Sequence, residues 1–186
     1  MIPVTVRAAT VDDAVAIARV RVESWRSTYK GMIPQAYLDG MSVETSAALW
    51  DKALAAANHR THTFVAEDPD GIVGFSSGVL LTEPKQGFVS ELAAIYLRPA
   101  YQRNGLGRRL VGVVAEALVA QRATNMIVWV IAANAPARKF YAALGAELVI
   151  EQPFQWDGMD LLEAGYGWND LAALIQQAPD AGIAGN

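Results

Sequence analysis

The sequence predicts a mixed α/β domain folded around one sheet. Three observations carry this. Strand-like and helix-like periodicities interleave along the chain, and turn residues punctuate them. Apolar residues make up 53% of the 186 positions and charged residues 18%, enough to fill one sizeable core. No internal repeat or linker interrupts the series, so one domain over 1–178 followed by a tail over 179–186 is the expected layout.

The elements follow in order. Val4, Val6 and Ala8 alternate with Thr5 and Arg7, a first strand. Thr10 with Asp13 three residues on has capping-box spacing, and Ala14, Ile17, Ala18, Val22 and Trp25 form a helical stripe running to about Ser27. A turn is expected at Lys30-Gly31 and Pro34, then a second helix capped by Ser42. His62–Glu67 and Ile72–Leu81 read as a hairpin across Asp68-Pro69-Asp70-Gly71, with Thr82–Gly87 as loop. Phe88–Leu97 is a strand stopped by Arg98-Pro99. Leu106, Leu110, Val113, Val114, Ala117 and Leu118 make a helix face, and Met126–Ala132 a strand covered on both sides. Pro136 opens a short helix that Gly145 ends; Glu147–Gln152 and Met159–Trp168 form a last hairpin, and Asp170–Gln177 a final short helix. The main order is β-α-α-β-β-β-α-β-α-β-β.

Charge and composition exclude several functions. A net charge of −4 and a pI near 5.1 argue against a nucleic-acid surface. Zero cysteines exclude a disulfide scaffold, a thiolate zinc site and a cysteine nucleophile, and fit a reducing compartment. No apolar run approaches a membrane span, and Met1-Ile2-Pro3-Val4 lacks a signal-peptide layout, so a cytoplasmic protein without membrane partners is expected. His59 and His62 lie at a helix-to-strand junction without the further ligands that zinc requires, so no metal is expected.

The most informative segment is Gln102-Arg103-Asn104-Gly105-Leu106-Gly107-Arg108, between a strand and a helix. A helix start presents unpaired N–H groups and partial positive charge, and a tight turn feeding it converges them on an anion. Arg98, Arg103, Arg108 and Arg109 fall within twelve residues, a local basic excess. A dinucleotide fingerprint would need a third glycine where Leu110 stands, and the Gly-Lys-Ser/Thr of a P-loop is absent, so another phosphate ligand is favoured over these nucleotide folds. A glycine-softened loop with solvated arginines is the plain alternative.

This glycine turn, placed after Glu91-Leu92-Ala93-Ala94-Ile95-Tyr96-Leu97 and Arg98-Pro99, resembles motif A of the GNAT acetyltransferase superfamily. Asn134-Ala135-Pro136-Ala137-Arg138-Lys139-Phe140-Tyr141-Ala142-Ala143-Leu144-Gly145 resembles its motif B. The resemblance spans roughly Val4 to Trp168. One departure is Ala146, where the family usually has phenylalanine.

The resemblance implies a sheet whose fourth and fifth strands splay, leaving backbone groups that the pantetheine arm of acetyl-CoA fills like an added strand. Ile95, Tyr96 and Leu97 would contact that arm. Gln102, Arg103, Asn104, Gly105, Leu106, Gly107 and Arg108 would hold the diphosphate. Asn134 would touch the arm, or simply cap its helix. The implied activity is direct attack of an amine on the thioester, by a small amine, an amino-acid-like molecule or a peptide N-terminus. Tyr141 would serve the leaving thiolate, or pack as a core aromatic. Glu91, taken to share a face with Ala93 and Ile95, would act as base directly or through water, or pair with an arginine. A backbone N–H near Ala94 or Ile95 would hold the oxyanion.

Trp25, Tyr29, Trp156 and Asp157 are candidate acceptor walls, the tryptophans having a core role as alternative. Glu23 and Asp157 could attract an ammonium group. The bulky Trp156 hairpin favours a closed pocket over the open groove that a protein acetyltransferase needs. The sequence is compatible with a homodimer. A non-catalytic acyl-CoA sensor or scaffold is the reading from another class; it needs neither Tyr141 nor Glu91.

Overall fold

Seven extended runs pair into one sheet, in a computed structural model that describes residues 3–56 and 59–177. The expected tail at 179–186, and the domain end at 178, lie outside the described residues. The strands are β1 (Thr5–Ala8), β2 (Thr61–Asp68), β3 (Gly71–Lys85), β4 (Phe88–Leu97), β5 (Met126–Ile131), β6 (Glu147–Trp156) and β7 (Met159–Trp168). Their order is β1-β2-β3-β4-β5-β7-β6, and every pair is antiparallel except β4–β5.

Side-chain alternation divides the core. Phe64 and Ala66 join one cluster, while Val65 between them joins another on the opposite face. Helices α1 (Ala14–Thr28), α2 (Gln35–Gly40) and α3 (Val43–Ala55) cover the Val65 face. Helices α4 (Leu106–Ala120), α5 (Ala135–Ala143) and α6 (Leu171–Gln176) cover the other. The Asp13 carboxylate fixes the start of α1: it accepts the Thr10 N–H at 2.7 Å and both terminal nitrogens of Arg7 at 2.8 and 2.9 Å. Arg7 also reaches Glu67, tying β1 and β2 to that helix start.

Three elements differ from the periodicity reading, one of them β6, which runs on to Trp156 where the strand was expected to end at Gln152. Helix α2 follows the expected turn and was not anticipated; at six residues it is too short to show a period, yet it buries Leu38 completely. β3 runs on to Lys85, where a loop was expected after Leu81. Thr82-Glu83-Pro84-Lys85 is polar because that overhang is mostly solvent-exposed.

The sheet opens between β4 and β5. Their ladder holds a single register pair, Glu91 with Ile127. Below it Asn125 staples the two strands: its Oδ1 accepts the Val89 N–H at 2.9 Å, and its carbonyl accepts the Ser90 hydroxyl at 2.6 Å. Above it a bulge intervenes. Ser77 pairs with Ala94 and Gly78 with Leu92, so Ala93 is an extra residue in β4. A bulge bends its strand and sharpens its twist, which carries the rest of β4 away from β5.

Candidate active site

The opened seam, the α4 N-terminus and α5 enclose a cleft of about 780 Å3. Leu92–Leu97 of β4 and Val128–Val130 of β5 line it, and no register pair joins these residues across the seam. Among the expected cofactor residues, Ile95, Tyr96, Leu97, Gln102 and Arg103 line the cleft, as do Gly105, Gly107, Arg108 and Asn134. Asn104 and Leu106 do not. Leu106 turns into the core, and its N–H is taken by Asn104 Oδ1 at 3.2 Å. Leu97 is also less available than expected, because its carbonyl already accepts Gln102 Nε2 at 3.1 Å and Ser24 Oγ at 3.3 Å.

The turn into α4 has left-handed backbone at Arg103 (φ 61°) and at Gly105 (φ 89°). Such turns gather successive N–H groups into an anion-binding concavity. A Cβ at Gly105 would meet nothing within 4 Å, so the space beside it is open. Gly107 has a different reason. A Cβ there would stand 3.1 Å and 3.2 Å from ring carbons of Phe140, so the bare position lets α4 and α5 close together. The basic cluster proves mostly structural. Arg98 pairs with Glu23 at 3.1 Å, Arg108 donates to the Gln177 carbonyl and Arg109 to the Val4 carbonyl, both at 2.9 Å. Among the described residues Arg103 alone of the four makes no hydrogen bond or ion pair, and it is exposed at the cleft.

Tyr141 lines the cleft from α5, 7% exposed. Burial, then the neighbouring Tyr96, pushes its hydroxyl well above the ordinary tyrosine value. That hydroxyl makes no hydrogen bond to the protein among the described residues. Asn134 is buried at the start of α5, where Oδ1 accepts the Ala137 N–H at 3.2 Å. Its amide nitrogen is not used by the protein among the described residues.

The bulge corrects the reading of Glu91. Cross-strand partners share a face, and Glu91 faces Val79 while Ile95 faces Ser76, three positions apart on β3. Glu91 and Ile95 therefore lie on opposite faces. The Glu91 carboxylate pairs at 2.7 Å with Lys85 and is not among the residues lining the cleft. Its partner is a lysine where an arginine was anticipated.

The acceptor side is aromatic. Tyr29 lines the cleft; Trp25 and Trp156 pack on each other beside it, ring centroids 4.9 Å apart, with Tyr29 4.7 Å from Trp25 and Tyr37 5.1 Å from Trp156. Asp157 stands at the exposed hairpin tip with φ 47°, and its charge helps raise the Tyr37 pKa. Burial raises Tyr29 and Tyr96 as well. The buried Trp25 indole N–H makes no well-formed hydrogen bond, yet it lies near enough to the Tyr96 hydroxyl to oppose that rise. Asn125, Tyr37 and the Ala93 bulge had no sequence signal that singled them out. Among the described residues no cluster of side chains could hold a metal, and no helix is long and apolar enough to cross a membrane.

Comparison with known proteins agrees with this geometry. The family model described as the acetyltransferase (GNAT) family matches residues 21–146. A Bacillus subtilis protein, the uncharacterized N-acetyltransferase YuaI, is 40% identical over 172 residues, covering 92% of this chain and 96% of that protein. The fold is similar to PaiA N-acetyltransferase from Thermoplasma acidophilum in complex with coenzyme A, with 18% identity, a TM-score of 0.67, and coverage of 87% of this chain and 98% of that one. It is similar also to yncA from Salmonella typhimurium, solved with its cofactor acetyl-CoA, at 17% identity, a TM-score of 0.64, and coverage of 90% and 94%. With splayed strands, glycine turn and family model in agreement, this chain belongs to the GNAT acetyltransferase family.

Proposed function

We propose that the chain transfers an acetyl group from acetyl-CoA to a primary amine, by direct attack of the amine on the thioester. The acceptor is a small amine, an amino-acid-like molecule or a peptide N-terminus. The observation that carries this is the seam opened by the Ala93 bulge, leading straight to the left-handed turn at Arg103 and Gly105. The residues fit the cosubstrate: unpartnered strand backbone suits an arm bearing two amides, and the open space beside Gly105 suits a diphosphate.

Bound acetyl-CoA supplies an activated acyl group. The chain's residues do the rest. Arg103 and the amides from Arg103 to Arg108 hold the diphosphate, with Leu106 excepted because Asn104 already occupies its N–H. Backbone of Ala93–Tyr96 holds the arm, and an N–H near Ala94 or Ile95 steadies negative charge on the acyl oxygen. Tyr141 keeps its proton because burial raises its pKa. Full transfer of that proton to a thiolate, whose thiol titrates near ~8.5, runs uphill, so Tyr141 donates a hydrogen bond instead. Among the described residues no carboxylate lines the cleft, so the amine proton leaves through water, and Glu91 is reached only by that route. The absence of cysteine fits work in the reducing cytoplasm.

Calorimetry with CoA and thiol release over a panel of amines, amino acids and short peptides test the reading. Binding with release on at least one class of amine is expected. Binding without release on any acceptor favours the sensor reading, and absence of CoA binding overturns both.

A further inference from the structure

Resting on that reading, we propose that Tyr101 and Asp68 are positioning residues of the cofactor site: the bond from the Tyr101 hydroxyl to the Asp68 carboxylate sets the diphosphate turn before the cofactor arrives.

The hairpin between β2 and β3 supplies the acceptor. Asp68 ends β2 opposite Gly71, whose φ of 126° makes the tight turn possible. One carboxylate oxygen of Asp68 accepts the Asp70 N–H at 2.8 Å, so the turn orients the side chain that caps it. The other oxygen accepts the hydroxyl of Tyr101, a residue 33 positions further along the chain. Tyr101 ends a single 3-10 turn, Pro99–Tyr101, which lies between β4 and the glycine turn. Its ring packs against the core cluster that α4 covers, while Pro99, Gln102 and Arg103 beside it line the cleft. The hairpin takes the Arg98 N–H as well, on the Val73 carbonyl at 2.9 Å. Residues 98–101 are therefore tied to the hairpin at both ends, by backbone at Arg98 and by side chain at Tyr101.

The backbone just beyond is strained. Arg103 is left-handed (φ 61°) without being glycine, and such a residue persists where its flanks over-determine it. On the far flank Asn104 Oδ1 takes the Leu106 N–H at 3.2 Å. On the near flank the Tyr101 N–H meets the Arg98 carbonyl at 2.9 Å, and the Gln102 N–H meets the Pro99 carbonyl at 3.2 Å. Those two bonds keep the shape of the 3-10 turn, but they are internal to it and do not fix its place on the sheet. The Tyr101–Asp68 bond does, and a hydrogen bond to a carboxylate is of the stronger kind. With it made, the amides after Arg103 converge on an anion with little left to order. With it cut, the chain from Pro99 to Asn104 can relax the strain at Arg103, and binding must first rebuild the turn.

The test compares two acyl donors. S-acetylpantetheine keeps the thioester and both amides of the arm but lacks the diphosphate. CoA affinity is measured by titration calorimetry, and turnover with acetyl-CoA and with S-acetylpantetheine by thiol release. The proteins are wild type, Tyr101→Phe, Asp68→Ala, Asp68→Asn and the double variant Tyr101→Phe with Asp68→Ala. Tyr101→Phe keeps the packed ring and should raise the CoA Kd and the acetyl-CoA KM about five- to tenfold, the scale of one strained residue. Its kcat at saturating acetyl-CoA, and its kcat/KM with S-acetylpantetheine, should stay within about twofold of wild type. Asp68→Ala should match it, and Asp68→Asn, which can still bond to the hydroxyl, should keep part of the affinity. The double variant should be no weaker than the single ones, because both remove the same bond. A bond that served only stability would move both donors together. The proposal is overturned if Tyr101→Phe binds CoA within about twofold of wild type, or if it loses equally on both donors. If Asp68→Ala fails to fold, Tyr101→Phe decides alone. Either overturning result with wild-type CoA binding intact leaves the acetyltransferase reading standing, and loss of CoA binding in wild type removes both.

Discussion

Replacing Tyr141 by phenylalanine isolates one hydroxyl. The residue is buried, and its hydroxyl lies at the cleft without a partner in the protein among the described residues, so its removal breaks no internal hydrogen bond. Stability should hold, because no partner within the protein is lost. The ring keeps its edge contact with Trp168, centroids 6.0 Å apart, so the shape of α5 survives. On the proposed function, what is lost is a hydrogen bond to a sulfur carrying negative charge as it leaves. Bonds to charged groups contribute about 1.5–3 kcal/mol, which converts to a fall in kcat of roughly 10- to 150-fold. KM for acetyl-CoA should change little, since the neutral ground-state sulfur is a poor acceptor. Burial raises the Tyr141 pKa, so the protonated form persists throughout the neutral range and beyond the ordinary tyrosine value. The wild-type kcat profile should therefore show no falling limb assignable to this residue below about pH 10. Steady-state thiol release against pH, for both proteins, reads all of this. A kcat within threefold of wild type, or a loss confined to KM, would refute the assignment.

Three further changes separate neighbouring roles. Glu91→Gln should lower turnover by less than about tenfold, because the carboxylate lies with Lys85 and outside the cleft lining; a hundredfold fall at unchanged CoA affinity would put it in the proton path. Arg103→Ala should weaken CoA binding about tenfold at low salt and less at high salt, since this cation is exposed; equal affinity in calorimetry at low salt would leave the diphosphate to the backbone. Asn125→Ala leaves the Val89 N–H without its acceptor and should cost about 1–3 kcal/mol in urea denaturation, where a change below about 0.5 kcal/mol would deny the staple its part in closing the seam.

Much of the fold was legible because side-chain period and turn chemistry agreed. Phe88–Leu97 and Met159–Trp168 read from the sequence with the bounds they have in the structure. The glycine turn was legible as well, since its glycines and its strand–helix context are local. The illegible features depend on partners distant in sequence. Nothing in Leu92-Ala93-Ala94 announces a bulge; only the register against β3 reveals it, and with it the face of Glu91. Gly107 looked like room for a phosphate, and the Phe140 ring gives it a second reason. Three of four clustered arginines turned out to be bound to Glu23, Gln177 and Val4. Trp25 and Trp156 were singled out as candidate walls, but they lie outside the cleft lining and pack on each other in a core cluster, which only the distant hairpin brings together.

The seam can be understood as a stretch of unmet hydrogen bonding with both ends closed. At the lower end, Asn125 and the Glu91–Ile127 pair hold β4 to β5. At the upper end, the Leu97 carbonyl is satisfied by Ser24 and Gln102. Between them lies the part of β4 that the bulge has turned away, Ala93 to Tyr96. Backbone donors and acceptors there cannot pair with β5, and folding leaves them to solvent or to a ligand. The bulge to Leu97 spans four residues, about 13 Å at strand rise, with the glycine turn, where the proposed function puts the diphosphate, just beyond. An arm anchored at that turn is thus carried toward the bulge and stopped by the closed ladder below it. One extra residue in β4 sets both how wide the cleft opens and how deep its occupant reaches. Removing Ala93 should therefore zip the strands and abolish CoA binding together, whereas a variant that only weakened the turn would lose binding with the seam still open.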